Sequence, residues 1–235
     1  MQLKNTKGDT DGSAPSKINN FILRTLSFCV LTPSTLYLLW KGGVYASSLI
    51  AVVGCVVVFE WSRLCLKSSF SPSVKISWFV GGLIYISLSC AAFWSLLRVE
   101  GGQTVFMILV ILVLASDTGG YLFGIIFRGP KLAPKISPNK TWSGAFGAIF
   151  LTWCVAYFVL TTGDKFTFTY FWKSALLAIL LSVVTQIGDL LESGIKRHFN
   201  VKDAGSLIPG HGGFLDRVDG LMAVGIILFL TRLFE

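Results

Sequence analysis

Charge is scarce in this chain. Of its 235 residues only 14% are Asp, Glu, Lys or Arg, while 53% are hydrophobic, and the mean hydropathy is +0.70. A water-soluble surface needs about a quarter of its residues charged, so a soluble globular domain is excluded. Sulfur and imidazole are thin as well. Cys29, Cys55, Cys65, Cys90 and Cys154 form no C-x-x-C pair and have no histidine nearby, which excludes a sulfur-based redox or metal motif and leaves them as small packing residues. Internal repeats, low-complexity tracts and any shift in composition that would mark a soluble domain are absent too.

Long apolar runs are abundant. Stretches at 21–40, 44–65, 77–97, 104–127, 142–162, 172–193 and 218–234 each approach the roughly 20 residues that a bilayer-spanning helix needs. The expected fold is all-α, a polytopic transmembrane bundle of about seven spans. The 24 glycines suit it, because helices in lipid attract through close backbone packing. Pro33 is expected to kink or divide the first span. Residues 1–19 are polar and read as a disordered cytoplasmic lead, 20–100 as amino-terminal transmembrane helices, and 101–235 as the catalytic transmembrane domain. The run after the lead is too long for a signal-peptide core and lacks a clear cleavage site.

The net charge of +8 would fit nucleic-acid binding if the basic residues clustered, but they fall in short loops between apolar runs. With the amino terminus in the cytoplasm, 15 of the 20 Lys and Arg residues lie inside, the bias that sets membrane topology. The remaining five are Lys41, Arg98, Lys165, Lys173 and Arg232.

Four acids, Glu60, Asp117, Asp189 and Glu192, are embedded in or beside apolar runs, where each costs about 2.5–3.5 kcal/mol near a helix centre. Something must compensate them. Asp189, Glu192 and Lys196 share one helix face over two turns, and Ser193 adds a hydroxyl. Glu192 and Lys196 by themselves also fit an end-of-helix salt bridge. Asp216 and Asp219 repeat the three-residue spacing at the start of the last span, where helix capping is the simpler alternative. Together, two helix ends offer four carboxylates, Asp189, Glu192, Asp216 and Asp219, to one cytoplasmic cleft, and hard oxygen ligands suit Mg²⁺.

The segment Ser193–Asp219 concentrates the polar chemistry in 27 residues, with seven charged side chains, both histidines and five glycines. Lys196, Arg197, Lys202 and Arg217 surround the acids and suit phosphates. Gly210, Gly212 and Gly213 allow close backbone approach around His211, which could donate to a phosphate, orient a ligand or complete the turn. His198 lies outside any such cluster and is expected to be solvated. A second patch runs from Asp117 through Gly119 and Gly120 to Arg128, Lys131, Lys135, Ser137, Asn139 and Lys140. Asp117 reads either as a wet break in the bundle or as a hydrogen-bond partner of a neighbouring helix. Ser137 and Lys140 suit a nucleotide phosphate, a helix cap or lipid headgroups equally. Acids, a metal and cations in one place point to phosphoryl or nucleotidyl transfer.

The residues Ser193, Ile195, Lys196, Arg197, Lys202, Asp203, Gly205, Ile208, Pro209, His211, Gly212, Gly213, Phe214, Asp216, Arg217 and Asp219 resemble, position by position, the signature of the phosphatidate cytidylyltransferases, also called CDP-diglyceride synthases. The resemblance extends through SDTGGYLFG at 116–124, KLAPKISPNKTWSG at 131–144 and GDLLES at 188–193, covering the carboxyl-terminal half. The first hundred residues resemble the family only in hydropathy. Ser143 departs from the pattern, since many members carry Glu or Gln there, and speaks against an acid role at that position.

The resemblance implies transfer of CMP from CTP to phosphatidate, giving CDP-diacylglycerol and pyrophosphate, with Mg²⁺ as cofactor and room for a monovalent cation. It implies metal binding by Asp189, Asp216 and Asp219, with Glu192 as a ligand or behind them. Lys196, Arg197, Lys202, Arg217 and Lys140 would neutralise phosphates, and Asp117, Ser137 and Asp203 would orient nucleotide or ligands. The partners expected are CTP, phosphatidate and membrane lipids, with no nucleic acid, and a homodimer is compatible with the sequence. A short chain without a targeting segment suggests a bacterial inner membrane with the site facing the cytoplasm. The rivals are a CTP-dependent lipid kinase, an ion-coupled transporter and a CDP-alcohol phosphotransferase, whose DGxxAR and GxxxDxxxD layout is missing here.

Overall fold

The computed structural model describes residues 17–161, 168–201, 203–205 and 213–232. They form seven α-helices and one short β-ribbon: α1 (Lys17–Lys41), α2 (Gly43–Lys67), α3 (Pro72–Leu96), α4 (Gly102–Phe127), β1 (Lys131–Ala133), β2 (Ser137–Thr141), α5 (Trp142–Thr161), α6 (Phe168–His198) and α7 (Leu215–Arg232). Each predicted apolar run coincides with a helix. Five helices, α2 to α6, are long and apolar enough to cross a bilayer. α7 puts Asp216, Arg217 and Asp219 in its first turns and Arg232 at its end, which lowers its apolar count. The lead assigned to 1–19 overlaps α1, which begins at Lys17; residues 1–16 lie outside the described residues.

Helix ends follow local chemistry. α1 runs unbroken through Pro33, so the proline does not divide the first span. Gly42 and Gly43 have φ of 66° and 51° and reverse the chain between α1 and α2, a conformation that a side chain would strain. Pro72 opens α3, where its missing N–H is not needed. The ribbon is the one element that an all-α reading lacks. β1 and β2 pair antiparallel, with Lys131 opposite Thr141 and Ala133 opposite Ser137 across a register shift.

Packing depends on small residues. A Cβ at Gly119 would lie 2.5 Å from the Gly147 carbonyl oxygen, and one at Gly144 would lie 2.6 Å from that of Gly120, so the α4 and α5 backbones touch. α6 and α7 meet in the same way at Gly188, where a Cβ would stand 2.6 Å from Ala223 Cβ and 2.9 Å from the Asp219 carbonyl oxygen. α3 joins the amino-terminal helices to α7: Ser89 Oγ donates to the Met222 carbonyl at 2.8 Å, and Gly225 sits against Ser89 and Phe93.

Buried apolar clusters fill the bundle, among them Val57, Trp61, Phe199 and Met222 near the α6–α7 turn and Leu112, Ala156, Leu181 and Val224 near mid-height. The outer surface is apolar as well, with Val52, Ile126, Phe158 and Leu176 all well exposed. In water such a belt would aggregate; in lipid it is solvated. Gly119→Val is expected to force α4 from α5 and destabilise the protein by roughly 1–3 kcal/mol, measured as a lower thermal midpoint in detergent, while Ile126→Val on the outer face leaves the midpoint unchanged.

Candidate active site

A cleft of about 960 Å³ opens where α4 and α6 end and α7 begins, with the ribbon along one side. Its lining includes Asp117, Lys140, Asp189, Asp216, Arg217 and Asp219, six residues that sequence reasoning selected. The close approach of α6 and α7 at Gly188 carries the next residue, Asp189, alongside Asp219. As a result, one carboxylate oxygen from each of Asp189, Glu192 and Asp219 lies within 4.8 Å of the others.

The fourth acid of the expected set is held differently. Lys196 Nζ donates to Asp216 Oδ1 at 2.7 Å and to Glu192 Oε2 at 2.9 Å, and all three side chains are nearly buried, at 14%, 9% and 9% exposure. Asp216 also accepts from the backbone N–H groups of Gly213 at 2.9 Å and of Ala204 at 3.3 Å. It thus ties α6, the loop after it and the start of α7 together. Glu192 belongs to both arrangements: Oε2 meets Lys196, while Oε1 is buried without a hydrogen-bond partner. An orphaned buried carboxylate oxygen beside two further carboxylates is a set of hard oxygens that fits a divalent cation such as Mg²⁺.

The lining is basic as well. Lys140 Nζ pairs with Asp189 Oδ2 at 2.5 Å, and Arg128, Lys131 and Arg217 also line the cleft. The ribbon is positioned by its hydroxyls. Thr141 Oγ1 accepts from Gly144 N at 3.1 Å, capping α5, and contacts Ser143 Oγ at 3.0 Å; Ser143 Oγ accepts from Gly129 N at 3.1 Å. Thr141 is therefore the helix cap, and Ser143 closes the base of the ribbon.

The other selected residues that the structure describes are not among those lining the cleft. Ser137 on β2 and Ser193 on α6 are half-buried, Asp203 is exposed in the loop after α6, and Gly213 is buried beside α7. Arg197 is exposed and donates to the carbonyls of Ile136 at 3.3 Å and Val201 at 3.5 Å, joining α6 to the ribbon. Lys202, His211 and Gly212 lie outside the described residues. His198, expected to be solvated, is exposed but its ring also stacks on Phe70 at 5.0 Å and lies 5.3 Å from Trp78; sequence spacing could not show that aromatic neighbours so distant along the chain would cover one face. Gln186 lines the cleft unselected. Its signal was position alone, three residues before Asp189 on the same helix face.

Residues 64–234 match the cytidylyltransferase family. The phosphatidate cytidylyltransferase of Brucella suis biovar 1 is 35% identical, with 91% of this chain and 93% of that protein covered. That of Rickettsia conorii is 32% identical over 92% and 93%. The Mycobacterium bovis protein of the same name is 37% identical over 64% of this chain and 49% of its own length.

The buried ion pairs generate a stability prediction. Lys196→Met removes the cation that two nearly buried acids share and is expected to destabilise the protein by roughly 3–5 kcal/mol, whereas adding Glu192→Gln and Asp216→Asn recovers part of that loss. Denaturation midpoints of the single and triple variants in detergent measure it.

Proposed function

This chain belongs to the cytidylyltransferase family, and we propose that its cleft transfers the cytidylyl group of CTP to phosphatidate, releasing CDP-diacylglycerol and pyrophosphate. The observation that carries the reading is the convergence of Asp189 and Asp219, which line the cleft, with the buried Glu192, in a cleft also lined by Arg128, Lys131, Lys140 and Arg217. The relatives from Brucella suis and Rickettsia conorii, both named phosphatidate cytidylyltransferase, align with more than nine-tenths of this chain.

An oxygen of the phosphatidate phosphate attacks the α-phosphorus of CTP in line, and the bond from that phosphorus to the bridging oxygen of the β-phosphate breaks. The lipid phosphate is already ionised near neutral pH, so no strong general base is needed. Lys140, Lys131 and Arg217 face the charge that builds on the departing pyrophosphate, and cations held in place beforehand need no reorganisation during the reaction. Asp189, Glu192 and Asp219 would hold Mg²⁺, which when bound supplies Lewis-acid neutralisation of phosphate oxygens. Asp216 and Lys196 keep α6 and α7 at the spacing that brings those acids together.

The topology fits this chemistry. With seven spans and a cytoplasmic amino terminus, the cleft opens to the cytoplasm, where CTP arrives, while phosphatidate reaches it with its chains still in the bilayer. The bacterial origin of the relatives supports a bacterial inner membrane as the setting. The apolar outer belt and the basic residues gathered at the cleft end support that placement.

A kinase would move the γ-phosphate, and a transporter would release no pyrophosphate. Incubating detergent-purified protein with labelled CTP, phosphatidate and Mg²⁺ is expected to give a lipid product that retains cytidine, with activity lost on chelation. Asp219→Asn is expected to lower turnover by at least about 100-fold, the scale of removing one electrostatic support of a transition state. Label appearing only as transferred phosphate, or an undiminished variant, overturns the reading.

A further inference from the structure

Glu60 lies near the end of α2 and is only 2% exposed, a costly place for a carboxyl group. Its Oε2 accepts the backbone N–H of Leu215, the first residue of α7, at 2.7 Å. Its Oε1 is buried without a hydrogen-bond partner. The surrounding backbone is shaped to admit it: a Cβ at Gly205 would collide with Glu60 Oε1, and one at Gly213 would stand 3.1 Å from Oε2 and 3.0 Å from Asp216 Oδ2. Glu60 and Asp216 thus take N–H groups two residues apart at the opening of α7, those of Leu215 and Gly213 respectively.

We infer that Glu60 is a positioning residue for the cleft: from α2 it holds the amino terminus of α7 at the height that presents Arg217 and Asp219 to substrate. The acid precedes residue 64, where the family match begins, so α2 contributes to the site from outside the matched segment. The mechanism is geometric. The first N–H groups of a helix have no partner within it, and an acceptor fixed on a neighbouring helix determines where that helix starts. A negative group at this end is also favoured by the helix dipole. One turn further along α7 stands Asp219, whose carboxyl group must meet Asp189 and Glu192 within 4.8 Å.

The turnover arm of the test rests on the proposed cytidylyl transfer; the exchange arm does not. Hydrogen exchange by mass spectrometry, on full-length protein in detergent, follows peptides spanning 213–219 in wild type, Glu60→Ala, Glu60→Gln and Glu60→Asp. Glu60→Ala is expected to speed exchange there by about tenfold or more, as local opening no longer breaks that bond, with α5 peptides unchanged. Turnover is expected to fall by about 100-fold, the scale of a displacement near 1 Å, while the KM for CTP moves less than about threefold because Lys131 and Lys140 remain. Glu60→Gln keeps an acceptor oxygen and is expected to restore both readouts to within about fivefold. Glu60→Asp, shortened by one methylene, keeps the acid but not the reach, and decides the matter if the alanine variant does not fold. Unchanged exchange at 213–219 in a folded Glu60→Ala or Glu60→Asp protein, or full turnover in either, overturns the inference. Faster exchange in Glu60→Ala, together with a wild-type protein that makes no CDP-lipid, overturns the proposed activity instead and leaves the positioning role standing.

Discussion

The bridge from Lys196 to Glu192 and Asp216 is the constraint on which the cleft depends. It joins the last turns of α6 to the first turn of α7 through groups that are nearly buried, and a buried ionic cluster of this kind tolerates few alternative arrangements. Its contribution is less to net stability, since desolvating three charges offsets much of their attraction, than to geometry. With the two helix ends locked and their backbones touching at Gly188, Asp189 and Asp219 have little freedom except to face each other. Like charges gathered this closely create the demand for cations that the basic lining partly meets and a divalent ion would complete.

Around that lock the molecule divides its labour between an apolar body and a polar end. Small-residue seams between α4 and α5 and between α6 and α7 give helix contact where lipid removes the apolar driving force. The same glycines that bring α4 against α5 lie beside Asp117, which opens onto the cleft. The ribbon between α4 and α5 carries Lys131 and Lys140 to the cleft and is held at its base by Thr141 and Ser143 rather than by a larger sheet. α2 reaches in from the amino-terminal half through Glu60, so the two halves of the chain are mechanically one unit at the site.

Much of this was legible beforehand, for identifiable reasons. Runs of about 20 apolar residues leave a chain few options but helices, and the structure places a helix on each of them. The spacing of Asp189, Glu192 and Lys196 predicts a shared helix face, and the three do share it. The ribbon was not legible: Lys131–Ala133 and Ser137–Thr141 are short, lysine-bearing and without an alternating pattern, and they pair only because α4 and α5 bring their ends together. Nor does identical spacing separate Asp216 from Asp219. One meets Lys196 and two backbone N–H groups, the other joins the acids of α6, and that difference is set by which way α7 is turned.

By itself the sequence determined a membrane-spanning helical protein, the end of the bundle where polar chemistry gathers, and the residue types available for phosphate and metal there. Those follow from hydropathy, charge and short-range spacing, which act along the chain. Tertiary structure alone decided which acids converge, which are consumed in holding helices together, and that an acid on α2 completes the start of α7 from 155 positions away in sequence. Such choices arise from contacts between helices, where distance in space is unrelated to distance along the chain and burial requires every polar group to find a specific partner.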